Sequence, residues 1–573
     1  MEPAWVAGHE GRRNRDINGL LRWDLTPDQV MELEGGFSRQ GNMYAGEHRG
    51  GAPSAVMQEW AGRGSETRRV YRQNLALTHR GNWGDLGDSR VVFQYENSRT
   101  QNCRQSSGGR GAGACNDVNE TQFSELESVF VNGELNTPFT LSGLNHMMTS
   151  GIEYRKQDLR DNNEALTRPE DRLPDVRDHV DMTNTTWAAY LEDNIALTDT
   201  LILTPGIRFD HHSQFGNNWS PSLNAMYELA GGFSLKGGIA RTFKAPTPYQ
   251  TSEFYQSRLG RPCPYLDASG DDLCTVRGNP NLKPEISMNK EIGIAWDSLR
   301  GWDSSLTYFR NDYKNRITAE ATGAVLNPNG TINLANPIDY TWANTGKAVI
   351  HGLEGNLNVP LLGTNGNQLR LLNNFTWMFR NERKDTRQPL SIVPLYTLNT
   401  TLDWRPMREF SLQLTSTLYG RRKPRSLNYV GYQMVDDAAR IRGSYAIFGL
   451  NGSYQFNKNH RLGKVCKTHC AARIPPLGAS LRWLLRSIAP LLTAKAALRC
   501  IPLAGAGLPQ EFCRPSLAFG VSNLFDRQIR RAAANAADDQ LDRGETEFIR
   551  NGAGALTYNE RGRTYFVTYT ASF

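Results

Sequence analysis

The sequence predicts an all-β fold, in which antiparallel strands form a barrel that spans a membrane. Apolar residues recur with a period of two in nearly every apolar stretch of the 573 residues, which is the period of a strand with one apolar face. No run of about 18 uncharged apolar residues occurs, so helices that cross a membrane are not expected. The mean hydropathy of −0.54 is low, as it is when outward apolar residues alternate with inward polar ones.

Strand-like segments follow one another along the chain, each of roughly the ten residues that a tilted strand needs to cross a bilayer. We count about nineteen of these segments, and polar residues such as Arg208, Asp210 and Gln413 occupy their second face. The apolar faces of the clearest segments are Leu201, Leu203, Ile207 and Phe209; Leu235, Gly237, Ile239 and Phe243; Leu369, Leu371, Phe375, Trp377 and Phe379; Leu398, Leu402 and Trp404; and Phe410, Leu412, Leu414 and Leu418. We expect Leu201, Leu203, Leu412, Leu414 and Phe573 to face lipid.

The connections between these segments alternate between short and long. Thr198-Asp199 and Ala230-Gly231-Gly232 are short and polar, whereas residues 157–184 form a long, charged stretch. Short turns at one end and long loops at the other are expected of an outer-membrane barrel. Period-two strands also occur in soluble β-sandwiches and propellers, so periodicity alone leaves that alternative open.

The carboxyl terminus favours the membrane barrel. Tyr565, Val567, Tyr569, Ala571 and Phe573 alternate to the last residue, so the chain ends inside a strand on an aromatic residue. This ending resembles the signal that the outer-membrane insertion machinery recognises. A soluble domain more often ends in a polar, frayed tail.

The cysteines predict loop-closing disulfides. Cys103 and Cys115 lie in one loop and Cys263 and Cys274 in another, each pair within a polar, Gly-rich stretch. Neither pair has the spacing of a zinc site, and both fit disulfides formed in an oxidising compartment. Four further cysteines are Cys466, Cys470, Cys500 and Cys513. Cys466 and Cys470 with His469 could suggest a metal, but their spacing is loose and we predict none.

Residues 464–518 differ in character from the rest of the chain. They hold eight basic residues against one acid, Glu511, so their charge of +7 equals the formal net charge of the whole chain. The basic residues are Lys464, Lys467, Arg473, Arg482, Arg486, Lys495, Arg499 and Arg514. Joining residue 463 directly to Phe519 restores the period of two. We therefore expect an insertion outside the barrel wall, with a short basic amphipathic helix around residues 481–488 as the functional alternative.

Ordered motifs carry a family resemblance. The barrel motifs are Gly206-Ile-Arg-Phe-Asp210, Phe243-Lys-Ala-Pro246, Gly278-Asn-Pro-Asn-Leu-Lys-Pro-Glu285, Tyr308-Phe-Arg-Asn-Asp-Tyr-Lys-Asn315, Gly352-Leu-Glu-Gly355 and Asn523-Leu-Phe-Asp526. They resemble, in order, those of TonB-dependent receptors. Asp16-Ile-Asn-Gly19, Phe37-Ser-Arg-Gln-Gly41, Trp219-Ser-Pro221, Pro394-Leu-Tyr-Thr-Leu-Asn399 and Tyr558-Asn-Glu-Arg-Gly-Arg-Thr564 are similar to segments of the ferric-enterobactin receptors.

The resemblance implies a barrel of the class in which about 22 strands enclose a plugged lumen. It also implies a place in the outer membrane of a Gram-negative bacterium, in contact with lipid and lipopolysaccharide. The expected function is TonB-dependent uptake of a ferric siderophore, ferric enterobactin or a related catecholate. Iron would arrive within that ligand, so no resident cofactor is expected, nor any nucleic-acid partner. A passive, porin-like channel is the alternative.

The family's amino-terminal plug is not recognisable in the sequence. The first strand is expected near residues 18–25, so we expect the plug and roughly three of the family's barrel strands to be missing. Residues 1–13 hold no signal-peptide pattern. The predicted organisation is therefore a first barrel part at 1–463, the insertion at 464–518 and the last barrel strands at 519–573. Unpaired strand edges are costly in lipid, so we expect uptake to be impaired in this chain.

No catalytic constellation is found, so we predict that the chain is not an enzyme. A nucleophile elbow, an HExxH motif, a P-loop and a paired-cysteine redox motif are all missing from the sequence. His211 and His212 follow Asp210 and could seed an outer-membrane protease or lipase. The resemblance places these residues at the edge between a strand and a loop, which does not favour acid–base catalysis.

Loop arginines and aromatic residues are the candidate ligand site, because a ferric tris-catecholate is a large, aromatic anion that suits cations and π-faces. The first set is Tyr255, Arg258, Arg261 and Tyr265; the second is Arg422, Lys423, Arg425, Tyr429 and Tyr432; and the third is Arg168, Arg172 and Arg177. The alternative for any one of them is contact with anionic lipopolysaccharide or with solvent.

Overall fold

The computed structural model shows a single large β-sheet. It describes residues 12–43, 59–60, 62–103, 114–115, 121–161, 180–260, 274–322, 339–391, 393–423, 443–455, 516–525 and 563–570. The strands are β1 (Arg12–Thr26), β2 (Gln29–Met43), β3 (Glu66–Asn82), β4 (Asp88–Cys103), β5 (Thr121–Leu141), β6 (Leu144–Asp161), β7 (Val180–Ala196), β8 (Leu201–His212), β9 (Gly216–Glu228), β10 (Phe233–Lys244), β11 (Gln256–Gly260), β12 (Cys274–Arg277), β13 (Glu285–Asp297), β14 (Asp303–Thr322), β15 (Asp339–Leu362), β16 (Leu369–Arg383), β17 (Tyr396–Met407), β18 (Phe410–Tyr419), β19 (Tyr445–Gln455), β20 (Ser516–Ser522) and β21 (Thr564–Thr570). One turn of α-helix, α1 (Pro248–Thr251), lies between β10 and β11.

Consecutive strands pair antiparallel around the sheet, with one exception. β10 pairs directly with β13 over residues 233–244 and 285–296, so β11 and β12 form a separate hairpin. β12 runs parallel to the start of β15, where residues 275–277 pair with 339–341. Of the 21 described strands, nineteen therefore form the wall. The predicted all-β, antiparallel barrel fold is confirmed.

One face of this wall is apolar and exposed. Ile152 in β6 is 68% exposed and Ile292 in β13 is 59% exposed, although both lie in the middle of paired strands. Leu414 is 43% exposed and pairs with Leu402 and Leu450. Because burial of apolar area stabilises a fold in water, a continuous exposed apolar face is the surface that lipid covers. The period-two assignment places Leu201, Leu203, Leu412 and Leu414 on this outward face, whereas Phe573 lies outside the described residues.

The opposite face carries hydrogen-bonded charges. Arg208 in β8 contacts Asp210 Oδ1 at 2.9 Å and Glu153 Oε2 of β6 at 3.3 Å. Asp403 in β17, only 1% exposed, contacts Arg370 Nε at 3.1 Å and Arg405 Nη2 at 3.1 Å. A buried carboxylate is tolerated when cations and donors satisfy it. This polar face is the inner face of the barrel.

The short connections have the expected form. Residues 197–200 form the bend between β7 and β8, and residues 230–232 form a tight turn between β9 and β10. Gly232 in the second turn has a φ of 81°, and a Cβ there would lie 2.0 Å from the carbonyl oxygen of Asp297. Only glycine fits that position without strain. In the described part of the chain, no helix has the length and hydropathy to cross a membrane.

Some boundaries differ from those that the sequence predicts. The first strand is longer than residues 18–25, because β1 continues the ladder with β2 as far as the pair Arg12 and Asn42. β20 begins at Ser516 rather than after Ala518, because Ser516, Leu517 and Ala518 pair with both β19 and β21. The remainder of the predicted insertion, residues 464–515, lies outside the described residues.

Candidate ligand site at the long-loop end

The segment that follows β10 contains the first predicted ligand residue, Tyr255. α1 begins with a capping box, in which the Thr247 backbone N–H donates to Gln250 Oε1 at 2.9 Å. Pro248 occupies the first helical position, where its missing N–H costs nothing. The helix ends at Thr251, and the chain then turns towards β11. The capping residues therefore fix where this segment leaves the strand.

Two of the sequence motifs meet in this segment. The Asn279 N–H donates to the carbonyl oxygen of Gln250 at 2.7 Å, and the Gly278 N–H donates to that of Tyr255 at 3.3 Å. A Cβ on Gly278 would lie 1.9 Å from the Ser252 carbonyl oxygen, so the two backbones touch. Asn279 Nδ2 also donates to the Trp342 carbonyl oxygen at 2.8 Å. Gly278 and Asn279 begin the motif Gly278-Asn-Pro-Asn-Leu-Lys-Pro-Glu285. Their hydrogen bonds hold in place the segment that follows the motif Phe243-Lys-Ala-Pro246.

Tyr255 is buried rather than displayed to solvent. Its side chain is 9% exposed and packs with Leu159 of β6 and with Val180 and Met182 of β7. The Tyr249 ring lies 4.7 Å from the Tyr255 ring. Burial raises the pKa of Tyr255 far above its usual range. In the described structure Tyr255 is therefore an anchor at the base of a loop.

The rest of this first set is only partly described. Arg258 belongs to β11, where it pairs with Thr275 of β12. Arg261 and Tyr265 lie outside the described residues, as does Cys263, so the predicted bond to Cys274 stays a prediction. Arg168, Arg172 and Arg177 of the third set also lie outside, between β6 and β7.

Arg422, from the second set, is held between two tyrosines. Its guanidinium lies 5.0 Å from the centre of the Tyr445 ring and 6.0 Å from that of Tyr419. The two rings stack at 4.8 Å because Tyr419 of β18 and Tyr445 of β19 are register partners. Arg422 Nη2 donates to the Tyr445 hydroxyl, whereas its buried Nε has no hydrogen-bond partner in the described ranges. Lys423 follows and is exposed, and Arg425, Tyr429 and Tyr432 lie outside the described residues.

Neither tyrosine was predicted from the sequence. Tyr419 ends a period-two segment three residues before Arg422, so its proximity could have been noticed. Tyr445 is 23 residues away from Arg422, and only the β18–β19 register brings it close. Together the three side chains form a cation over stacked aromatic rings on the inner face, and we call them the Arg422 cluster. Such a group can bind an aromatic anion.

A disulfide braces another loop at the same end. Cys103 and Cys115 are bonded, with 5.0 Å between their Cα atoms. The Cys115 N–H donates to the Glu66 carbonyl oxygen at 2.8 Å, which ties this loop to the start of β3. The Glu66 carboxylate in turn binds Arg39 and Arg69. The described candidate residues thus lie on separate arcs of the wall, near β5–β7 for Tyr255 and near β18–β19 for Arg422.

Comparison with known proteins agrees with this geometry. The family model described as "TonB dependent receptor-like, beta-barrel" matches residues 5–464. The ferric enterobactin receptor PirA of Pseudomonas aeruginosa is 38% identical over 575 residues, which cover 99% of this chain and 66% of that protein. The ferrienterobactin receptor of Escherichia coli is 36% identical, with 99% of this chain and 67% of that protein covered.

Solved structures of siderophore receptors also resemble this chain. A mutant of the ferric enterobactin receptor PfeA of Pseudomonas aeruginosa, in complex with enterobactin, superposes with a TM-score of 0.75 at 35% identity, covering 100% of this chain and 72% of that one. The siderophore receptor PirA of Acinetobacter baumannii gives a TM-score of 0.73 at 30% identity, covering 100% and 72%. The chain spans about two thirds of the length of the curated relatives that it matches.

Proposed function

The chain belongs to the TonB-dependent receptor family of outer-membrane β-barrels, and from that premise we propose that it binds a ferric siderophore, ferric enterobactin or a related catecholate. The observation that carries the proposal is a sequence identity of 36–38% over 99% of the chain to receptors named for this ligand. As in the family to which the chain belongs, such binding would lead to uptake energised through TonB.

The chemistry of the Arg422 cluster supports this ligand class. A ferric tris-catecholate presents aromatic rings around a negative charge, and a guanidinium stacked on tyrosines offers both a cation and π-faces. Arg422 is 9% exposed, and its contacts with Tyr419 and Tyr445 fix the guanidinium before any ligand binds. Binding at this end needs no reactive group. We therefore propose a transport role without catalysis and without a resident cofactor, in which iron is carried by the siderophore.

We also propose lipopolysaccharide as a partner of the outward face. Arg15 of β1 and Arg39 of β2 are direct register partners, and the next outward pair towards the short turn is Ile17 and Phe37. Like charges placed opposite each other on neighbouring strands are destabilising. Glu66 already binds Arg39, so the exposed Arg15 is the member of the pair that a further anion would stabilise. Phosphate groups above the acyl chains would supply that anion. Added lipopolysaccharide should therefore raise the unfolding temperature of the chain more than it raises that of the Arg15→Gln variant.

Residues 464–515 are proposed to lie outside the barrel wall. Their positive charge and the prolines Pro475, Pro476, Pro490 and Pro502 do not suit membrane strands. The family match ends at residue 464. Deleting residues 464–515 should leave refolding of the barrel in detergent intact, and a chain that no longer refolds would contradict the proposal.

The test of the siderophore proposal is direct binding. The full chain, refolded in detergent, is titrated with ferric enterobactin while tryptophan fluorescence is recorded, and a ferric hydroxamate serves as the chemically distinct comparison. Saturable quenching by the catecholate alone is the expected result. Quenching that never saturates, together with ion conductance in planar bilayers, would favour the porin-like channel instead.

A further inference from the structure

The chain between β10 and β11 crosses the inner face of the wall. α1 follows β10 directly, yet its contacts are with β5, β6 and β7, and β7 is three strands away from β10 in the sheet. Ile152 and Tyr154 of β6 face outward, so Leu159 and Asp161, at odd positions of the same strand, face inward. The segment Thr247–Tyr255 therefore lies against the inside of the barrel, at the long-loop end.

Besides the packing of Tyr255, a hydrogen-bonded hydroxyl group attaches this segment to the wall. Tyr249 OH donates to Asp161 Oδ2 at 2.8 Å and lies 3.0 Å from Ser124 Oγ of β5. Burial raises the pKa of Tyr249 to about 12, so the hydroxyl keeps its proton at neutral pH. Asp161 is 6% exposed, and its Oδ1 accepts no hydrogen bond from the described residues. Tyr249 is consequently the main partner of a buried carboxyl group, which makes the bond costly to lose.

The anchor is connected to the β11–β12 hairpin. The Tyr249 ring packs on Tyr255, the residue directly before β11. The hairpin is fixed at its base by the bond from the Gly278 N–H to the Tyr255 carbonyl oxygen and by Arg277 Nε, which donates to the Glu253 carbonyl oxygen at 2.7 Å. Tyr255 also packs on Leu159, Val180 and Met182, so displacing Tyr249 would remove one of its contacts and loosen the base of the hairpin that carries Arg258.

We propose that Tyr249 is a positioning residue for ligand binding, which acts by fixing the Thr247–Tyr255 segment and hence the β11–β12 hairpin. This inference rests on the proposed siderophore-binding function. It concerns a residue that would not contact the ligand itself. A hairpin held in one place loses less conformational freedom when ligand binds, so its fixation raises the affinity.

The test compares Tyr249→Phe with Tyr227→Phe in the full chain. The first change removes the hydroxyl and keeps the ring, and the second alters an exposed tyrosine of β9 on the outward face. Hydrogen–deuterium exchange of the peptides that cover residues 247–260 is the structural readout. Loss of a hydrogen bond to a carboxylate should accelerate exchange there about tenfold or more in Tyr249→Phe, and the affinity for ferric enterobactin should fall about three- to tenfold. Tyr227→Phe should change neither, and the unfolding temperature of the barrel should be the same in both.

Variants of Asp161 separate positioning from general packing. Asp161→Asn keeps an acceptor oxygen and should behave within about twofold of the unmodified chain. Asp161→Leu removes the acceptor, and combined with Tyr249→Phe it should add little to either single change, because both break the same bond. Unchanged exchange in Tyr249→Phe would overturn the inference, and so would faster exchange with unaltered affinity. If the unmodified chain binds no siderophore, the proposed function fails, and exchange alone then decides whether Tyr249 holds the segment.

Discussion

The guanidinium of Arg422 lies 5.0 Å from the centre of the Tyr445 ring and donates to its hydroxyl group. This contact joins the chain just after β18 to the first residue of β19, so the loop between these strands begins and ends at one cluster. Arginine on an aromatic face keeps its charge while losing much of its water, which strengthens its attraction for an anion.

Replacing Arg422 should weaken ligand binding. Arg422→Ala removes a cation that contacts two aromatic rings, and we expect ferric enterobactin affinity to fall about tenfold. Arg422→Lys keeps the charge but not the planar group, so its affinity should be intermediate. Fluorescence titration measures both. Arg300→Ala, in the short turn between β13 and β14 at the other end of the barrel, is the matched control, and equal affinities of Arg422→Ala and this control would contradict the prediction.

Ionic strength should modulate the same binding. Attraction between the loop-end arginines and a trianionic complex is screened over about 10 Å at 0.1 M salt. Affinity should therefore decline between low and moderate salt, and Arg422→Ala should show a smaller decline than the unmodified chain. Titrations in increasing sodium chloride test this. An affinity that does not vary with salt would show that charge plays no part.

Removing the Asp403 carboxylate should lower the free energy of unfolding of the barrel. Its carboxylate is 1% exposed and contacts Arg370 and Arg405, which are themselves about half exposed. Asp403→Ala leaves two cations without their shared anion, and we expect a loss of about 1–3 kcal/mol in the free energy of unfolding. Asp24→Ala, at an exposed pair with Arg22, should cost less than about 0.5 kcal/mol. Urea unfolding in detergent micelles distinguishes the two, and equal losses would refute the account.

The two faces of β18 should respond differently to a charge. Leu414 lies on the outward face and Thr415 on the inward face of the same strand. Leu414→Lys places an ammonium in lipid, which costs about 2–4 kcal/mol near the bilayer midplane, and Thr415→Lys places it in the polar lumen at little cost. Folding into lipid vesicles, followed by the shift in gel mobility of the unheated protein, provides the measurement. A larger defect from Thr415→Lys would reverse the assignment of faces.

The local sequence pattern predicts much of the fold. The period of two assigned Leu203 and Leu414 to one face and Arg208 and Asp210 to the other, and the strand registers place them there. The pattern is reliable because side chains in a strand alternate whatever the strand pairs with. Motif resemblance identified the family from short contiguous segments, such as Gly352-Leu-Glu-Gly355, that are recognisable without the tertiary structure.

The sequence by itself thus determined the strands, their faces and the family of this protein, and it supplied the loop residues from which a ligand site was predicted. Only the tertiary structure decided that Tyr255 is buried against Leu159, that Tyr249 binds an Asp161 that is 88 residues away, and that Tyr445 accompanies Arg422. These contacts join strands that are distant along the chain. Their existence depends on the register of every intervening strand and on the inward path of one loop, and neither leaves a periodic signal in the residues involved.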